Sequence, residues 1–139
     1  MDIASFDDLL RMAGQQPTLQ RLLLVFCKAE LPQDATPQQK ADFQAGEGGM
    51  LVPVASVDKF PEALPSFAEL SAEATQHDLV WDLLFVSTME RGDDSAERVA
   101  HVDRTLEAMV AAIREGKVEN CLPFDGSGAV VALGAEPQG

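Results

Sequence analysis

Tyrosine is absent from this chain, tryptophan occurs once and phenylalanine seven times. So sparse an aromatic set offers little from which to build a base-stacking surface. Basic residues are also scarce: 10 Lys and Arg stand against 23 Asp and Glu, a formal net charge of −13. That balance opposes binding to nucleic acid by phosphate neutralisation and disfavours an anionic membrane surface, while leaving a basic partner or a cation open. Only two cysteines occur, Cys27 and Cys121. They form no C-x-x-C or His/Cys spacing, so neither a zinc site nor a redox motif is indicated. Apolar neighbours (Phe26 and Leu122) make buried, unreactive thiols the expectation. No apolar run reaches the roughly eighteen residues that a spanning helix needs. Met1 leads through Asp2 into a polar helix start with no basic region before an apolar stretch, so a secretory leader is not read and a cytoplasmic location is expected.

What the chain does have is internal similarity at a spacing of sixty-one. Ser5, Phe6, Leu9, Ala13, Gln15, Leu22, Leu23 and Val25 are matched by Ser66, Phe67, Leu70, Ala74, Gln76, Leu83, Leu84 and Val86. Average composition gives about one or two identities in such a window. The expectation is a degenerate tandem repeat.

Ser5 followed by Asp8, and Ser66 followed by Glu69, are helix-start patterns in which a hydroxyl accepts an amide hydrogen and an acid sits near the positive end of the helix dipole. Phe6, Leu9, Leu10 and Ala13 then share a face, as do Phe67, Leu70 and Ala74. Pro17 stops the first helix, and His77 and Asp78 follow the second. Leu19 to Cys27 and Leu79 to Thr88 are apolar runs of strand length. Thr36-Pro37 caps and opens a helix through about Ala45 that Gly46 ends. Its longer counterpart opens at Asp94 and Glu97 and carries a stripe of Val99, Val102, Leu106, Met109, Val110 and Ile113 until Gly116. Met50 to Val57 and Cys121 to Phe124 read as further extended pieces, with Ala129 to Leu133 beyond the turn Asp125-Gly126-Ser127-Gly128. Pro53 marks its strand as an edge or bulge position.

At 139 residues the chain suits one domain that buries about two thirds of its unfolded surface. The expected fold is α/β, one layered domain over 1–139. It comprises repeat one over about 4–57, a joint at 58–65, repeat two over about 66–133 and a flexible tail at 134–139. Two helix-strand-helix-strand units would surround a central mixed or parallel sheet of four to five strands.

Ligands in open α/β sheets bind beyond the carboxyl ends of strands, which selects two equivalent loops, Lys28 to Ala35 and Met89 to Ser95. Lys28, Glu30 and Asp34 in one, and Glu90, Arg91, Asp93 and Asp94 in the other, are the candidate ligand-binding residues, facing a shared cleft. Asp93 and Asp94 are also explained by the helix that they precede. Glu97 and His101 have ligand spacing, with Arg104 continuing the row, but that row points away from the apolar stripe and reads as a solvated ladder. His77 suits a helix end, Gly46-Glu47-Gly48-Gly49 lacks the Lys-Ser/Thr and following helix of a phosphate cradle, and Ser87-Thr88 lacks a base. Trp81 opens an expected strand, as core or interface anchor.

Ser5-Phe6-Asp7-Asp8-Leu9-Leu10, Gln20-Arg21-Leu22-Leu23-Leu24-Val25-Phe26, Ala29-Glu30-Leu31-Pro32, Gly46-Glu47-Gly48-Gly49, Val57-Asp58-Lys59 and Leu122-Pro123-Phe124-Asp125 together resemble a family of short uncharacterised proteobacterial proteins. Members of it often carry the label ribonucleotide reductase alpha subunit. That activity does not transfer, because a reductase of that kind is a much longer barrel chain with a radical cysteine and a redox pair that Cys27 and Cys121 cannot supply. A shorter stretch, Gly49-Met50-Leu51-Val52-Pro53-Val54-Ala55-Ser56, is similar to the SseB-like domains.

The functional expectation is a small cytoplasmic interaction or ligand-binding domain with no catalytic activity of its own and no cofactor or metal. A homodimer would cover a sheet edge. Two alternatives belong to other classes: a small enzyme using a divalent cation on the acidic loops, and an acidic inhibitor or nucleic-acid mimic that blocks a basic partner.

Overall fold

The computed structural model describes residues 3–31, 33–45 and 50–131. Eight helices and strands alternate along it: α1 (Phe6–Gly14), β1 (Gln20–Glu30), α2 (Pro37–Gln44), β2 (Met50–Lys59), α3 (Phe67–Gln76), β3 (Leu83–Glu90), α4 (Ala96–Arg114) and β4 (Leu122–Phe124), with a short 3-10 turn at Pro61–Ala63. The class is mixed α/β. The strands form one sheet in the order β2-β1-β3-β4, and every neighbouring pair is antiparallel.

The expected parallel or mixed sheet of four to five strands is therefore corrected to four antiparallel strands. For the first unit the cause is visible in α2. A parallel crossover needs a helix with an apolar face to lie on the sheet, whereas α2 buries no residue. Thr36 and Gln39 close a reciprocal capping box that holds it locally. Among the described residues the expected fifth strand is represented only by isolated bridges. Ala129 and Val130 make isolated bridges to Ser5 and Phe124, and 132–133 lie outside the described residues, as do Gly46 to Gly49 and the tail 134–139.

β1 is buried from Arg21 to Cys27 and sorts the core by alternation. Leu22, Leu24 and Phe26 face α1 and α3, joined there by Phe6, Leu9, Leu64, Phe67, Leu70, Leu84, Val86 and Phe124. Leu23, Val25 and Cys27 face the other way with Phe85, Val102, Leu106, Met109 and Ile113. The layers are thus α1 with α3, the sheet, and α4. Each fully buried Phe or Leu adds about 1.5–3 kcal/mol, so the doubly covered strand is the largest single source of stability.

Both α1 and α3 start as their patterns require, with the Ser5 and Ser66 hydroxyls accepting the amides of Asp8 and Glu69. Phe6 and Phe67 meet edge to face at 5.8 Å. The matching then slips by one residue. α3 is 10 residues to the 9 of α1, and it is followed by Asp78 in the left-handed region at φ 57°. Leu22 consequently faces α1 while Leu83 packs on the α4 side, and Val25 and Val86 are likewise on opposite faces. The sequence identities of the strands are not spatial equivalents. The second parts diverge further, 8 residues of α2 with nothing buried against 19 of α4 with four buried, and 10 of β2 against 3 of β4. The expected repeat architecture is not followed beyond the first helices of the two units.

Boundaries differ in ways that matter for function. β1 runs on to Glu30 and β3 to Glu90, so Lys28, Glu30 and Glu90 belong to strands instead of loops. β3 begins only at Leu83, leaving Trp81 outside it, packed edge to face on Phe26 and Phe67. Val99 drops out of the α4 stripe and is exposed. Pro53 does occupy an edge strand at a bulge. Phe26 pairs with Ala55 and Cys27 with Pro53, so Val54 is the extra residue.

Candidate functional site

Antiparallel pairing separates the two loops expected to share a cleft. Gln20 pairs with Glu90 and Glu30 with Met50, placing Glu90, Arg91, Asp93 and Asp94 at one end of the sheet. Lys28, Glu30 and Asp34 lie at the other, about 30 Å away at strand rise. The shared cleft is therefore corrected. Asp93 is taken up by the start of α4, where its carboxylate accepts from the Ser95 amide and hydroxyl, and these bonds hold it below its ordinary pKa. Ser95, not Asp94, caps that helix. Among the described residues no three His, Cys, Asp or Glu side chains gather as a metal site.

Arg91 is the residue of the expected set around which a site forms. Its backbone amide extends the ladder to the Leu19 carbonyl at 2.9 Å. Its guanidinium donates through Nε and Nη2 to the Gln20 carbonyl at 3.3 and 3.0 Å and through Nη2 to Glu62 Oε1 at 2.7 Å, while Nη1 lies 2.7 Å from Glu62 Oε2 as an ion pair. A planar fork meeting a planar carboxylate is the strongest geometry for this pair. The Phe60 ring lies 3.9 Å from the guanidinium carbon of Arg91 and 5.0 Å from that of Arg21. Arg21 donates to Asp58 at 2.6 Å and to the Arg91 carbonyl at 3.1 Å, while its Nε is buried without a partner.

Three chain segments thus converge: the start of β1, the end of β3, and the Asp58 to Glu62 stretch that leaves β2. Beside them opens a cavity of about 380 Å³ with Leu10, Ala13, Leu19, Pro61, Glu62 and Arg91 in its wall. The Arg91 side chain is 15% exposed and that of Glu62 61%. Glu62 is also held below its ordinary carboxylate range, chiefly by its hydrogen bond to Arg91. Arg21, Phe60 and Glu62 did not stand out in the sequence, since 58–65 read as a joint. The available signal was Arg21 itself, a charge directly preceding six apolar residues.

A second concavity of about 320 Å³ lies between α3 and β2, with Phe26, Ala55, Val57, Leu70 and Leu79 as its apolar floor. Lys59 and Glu73, paired at 2.9 Å, and the capping residue His77 are at its rim. Among the described residues β2 pairs on one side only, with β1, and Met50 and Val54 on it are exposed.

Neither thiol is poised for attack. Cys27 is fully buried and its pKa is pushed up to about 12 by desolvation, with Cys121 nearby adding to the effect. Burial also raises Cys121. Asp8 and Asp125 are lowered by turn and cap hydrogen bonds, Asp8 from the Ala4 amide and Asp125 from the Ser127 hydroxyl and amide. These are anchoring roles for the turn after β4 and for the start of α1.

In comparison with known proteins, no family model, no curated protein and no solved structure matches this chain.

Proposed function

We propose that this protein is a binding module, an interaction or ligand-binding domain without catalytic activity of its own. The observation that carries the reading is the cavity beside Arg91, in which apolar surface from Leu10, Ala13, Leu19 and Pro61 is set beside Gln16, Thr18, Gln20 and the Arg91–Glu62 pair. That is the composition of a recognition site, mostly apolar with a few placed polar groups. The test is an amide-resolved NMR titration with a library of small organic fragments. Shifts concentrated on Gly14, Leu19, Gln20, Glu62 and Arg91 are expected, and a library that leaves these amides unmoved would remove the reading.

The free side of β2 and the adjoining apolar concavity favour a second reading, self-association over that edge. It is weakened by Pro53 and the bulge at Val54, which blunt the strand for pairing. Light scattering at two concentrations decides it, since a pairing of this kind gives a mass that rises towards twice the monomer. The divalent-cation enzyme has less support, because the acids of its two loops sit at opposite ends of the sheet. An acidic mimic needs one continuous face of acids. Along α4 the exposed Glu97, Asp103 and Glu107 are instead interleaved with exposed Arg104 and Arg114.

A further inference from the structure

We propose that the cavity beside Arg91 binds a small carboxylate with an apolar body, and that Glu62 stands in for the ligand's headgroup when the site is empty. The inference deepens the binding reading above and rests on it.

Arg91 is fixed from behind. Its Nε and Nη2 are committed to the Gln20 carbonyl, one of its faces lies against Phe60, and its backbone continues the sheet. Its remaining edge meets Glu62. Glu62, by contrast, sits on the three-residue 3-10 turn and exposes most of its side chain, so it can swing into water with no loss of core packing. An exposed carboxylate gains little net from such a pair, whereas Arg91 in its largely buried position needs an anionic partner. The geometry of the stand-in also names the ligand class. The group now in place is a flat carboxylate with one oxygen 2.7 Å from each of Nη2 and Nη1, an arrangement that a ligand carboxylate can repeat oxygen for oxygen. The same cavity wall carries Leu10, Ala13, Leu19 and Pro61, which suit an aliphatic or aromatic body of modest size. In a chain of net charge −13 a singly charged ligand also meets far less long-range repulsion than a polyanion.

The probes are hexanoate, 1-hexanol and hexylammonium, titrated into the intact protein with amide-resolved NMR and read also through the Arg91 Nε–H signal. Hexanoate is expected to move that signal together with the amides of Leu19, Gln20 and Glu62, and the other two probes at equal concentration are not. Glu62→Gln, at an exposed position, removes the competing charge and should tighten hexanoate by roughly threefold, the factor that corresponds to losing an exposed ion pair. Leu19→Asn, an uncharged change at a residue 67% exposed, tests the apolar wall and should weaken hexanoate several-fold, and unchanged affinity would overturn the role of that wall. Equal response to 1-hexanol would overturn the carboxylate assignment while keeping the cavity as a binding site. Hexanoate affinity unchanged or lowered in Glu62→Gln would overturn the stand-in role. Absence of localised shifts with all three probes would overturn the proposal together with the site.

Discussion

Arg21 sits on the same face of β1 as Leu23, Val25 and Cys27, and its charge is tolerated there because Asp58, the Arg91 carbonyl and the Phe60 ring surround it. Removing one partner of such a group strands the other. Arg21→Ala should therefore cost about 3–5 kcal/mol, while replacing the pair as Arg21→Met with Asp58→Leu should be close to neutral. Urea unfolding of the two variants checks this, and equal losses would assign the effect to packing alone. At this scale the sequence was partly readable. Arg91 was singled out for standing after a strand, and Cys27 for its apolar neighbours. Phe60 and Glu62 are hidden because their role depends on Gln20 and Arg91, about 30–40 positions away in the chain, and no local pattern reports such a meeting.

Helix starts are the elements that the chain announces most plainly. Ser5, Thr36, Ser66 and Ser95 each cap the helix that follows. Their removal should nonetheless have unequal effects. Ser66→Ala is expected to lower global stability by about 1 kcal/mol, because α3 buries Phe67 and Leu70. Thr36→Ala should fray α2 and leave the unfolding midpoint almost unmoved, because α2 buries nothing. Hydrogen exchange resolved by segment, alongside denaturant melts, separates the two outcomes. The existence and order of the helices and strands followed from periodicity and caps. Strand direction did not, although the polar character of Pro37–Gln44 already argued against a crossover helix. The one-residue slip between α3 and β3 was beyond pattern reading as well, since Asp78 in a left-handed turn moves every later side chain to the other face without altering the alternation itself.

Across the whole molecule the acids outnumber the bases by more than two to one, and several of them are tied to the folded state. Asp8, Glu62, Asp93 and Asp125 all have folded pKa values below their ordinary 3.8 or 4.5. A depressed folded value contributes stability above the unfolded pKa and loses it as pH falls through the folded one. Thermal midpoints should therefore drop on acidification below about pH 4.5, and Glu62→Gln should remove part of that drop. Near pH 7 the net charge acts in the opposite sense, and screening its self-repulsion with salt should raise the midpoint. Melting curves over a grid of pH and sodium chloride test both signs.

The backbone of Phe6 donates to the Gly128 carbonyl at 2.8 Å, and Val130 donates to that of Ala4 at 3.0 Å, with the Phe124 ring 5.5 Å from that of Phe6. During synthesis the first of these partners leaves the ribosome more than a hundred residues before the last. At ordinary elongation rates that is a wait on the order of ten seconds, during which the earliest aromatic side chain has no clasp to close over it. The seating of α1 on the sheet is thus completed only once residues 124–130 have been made.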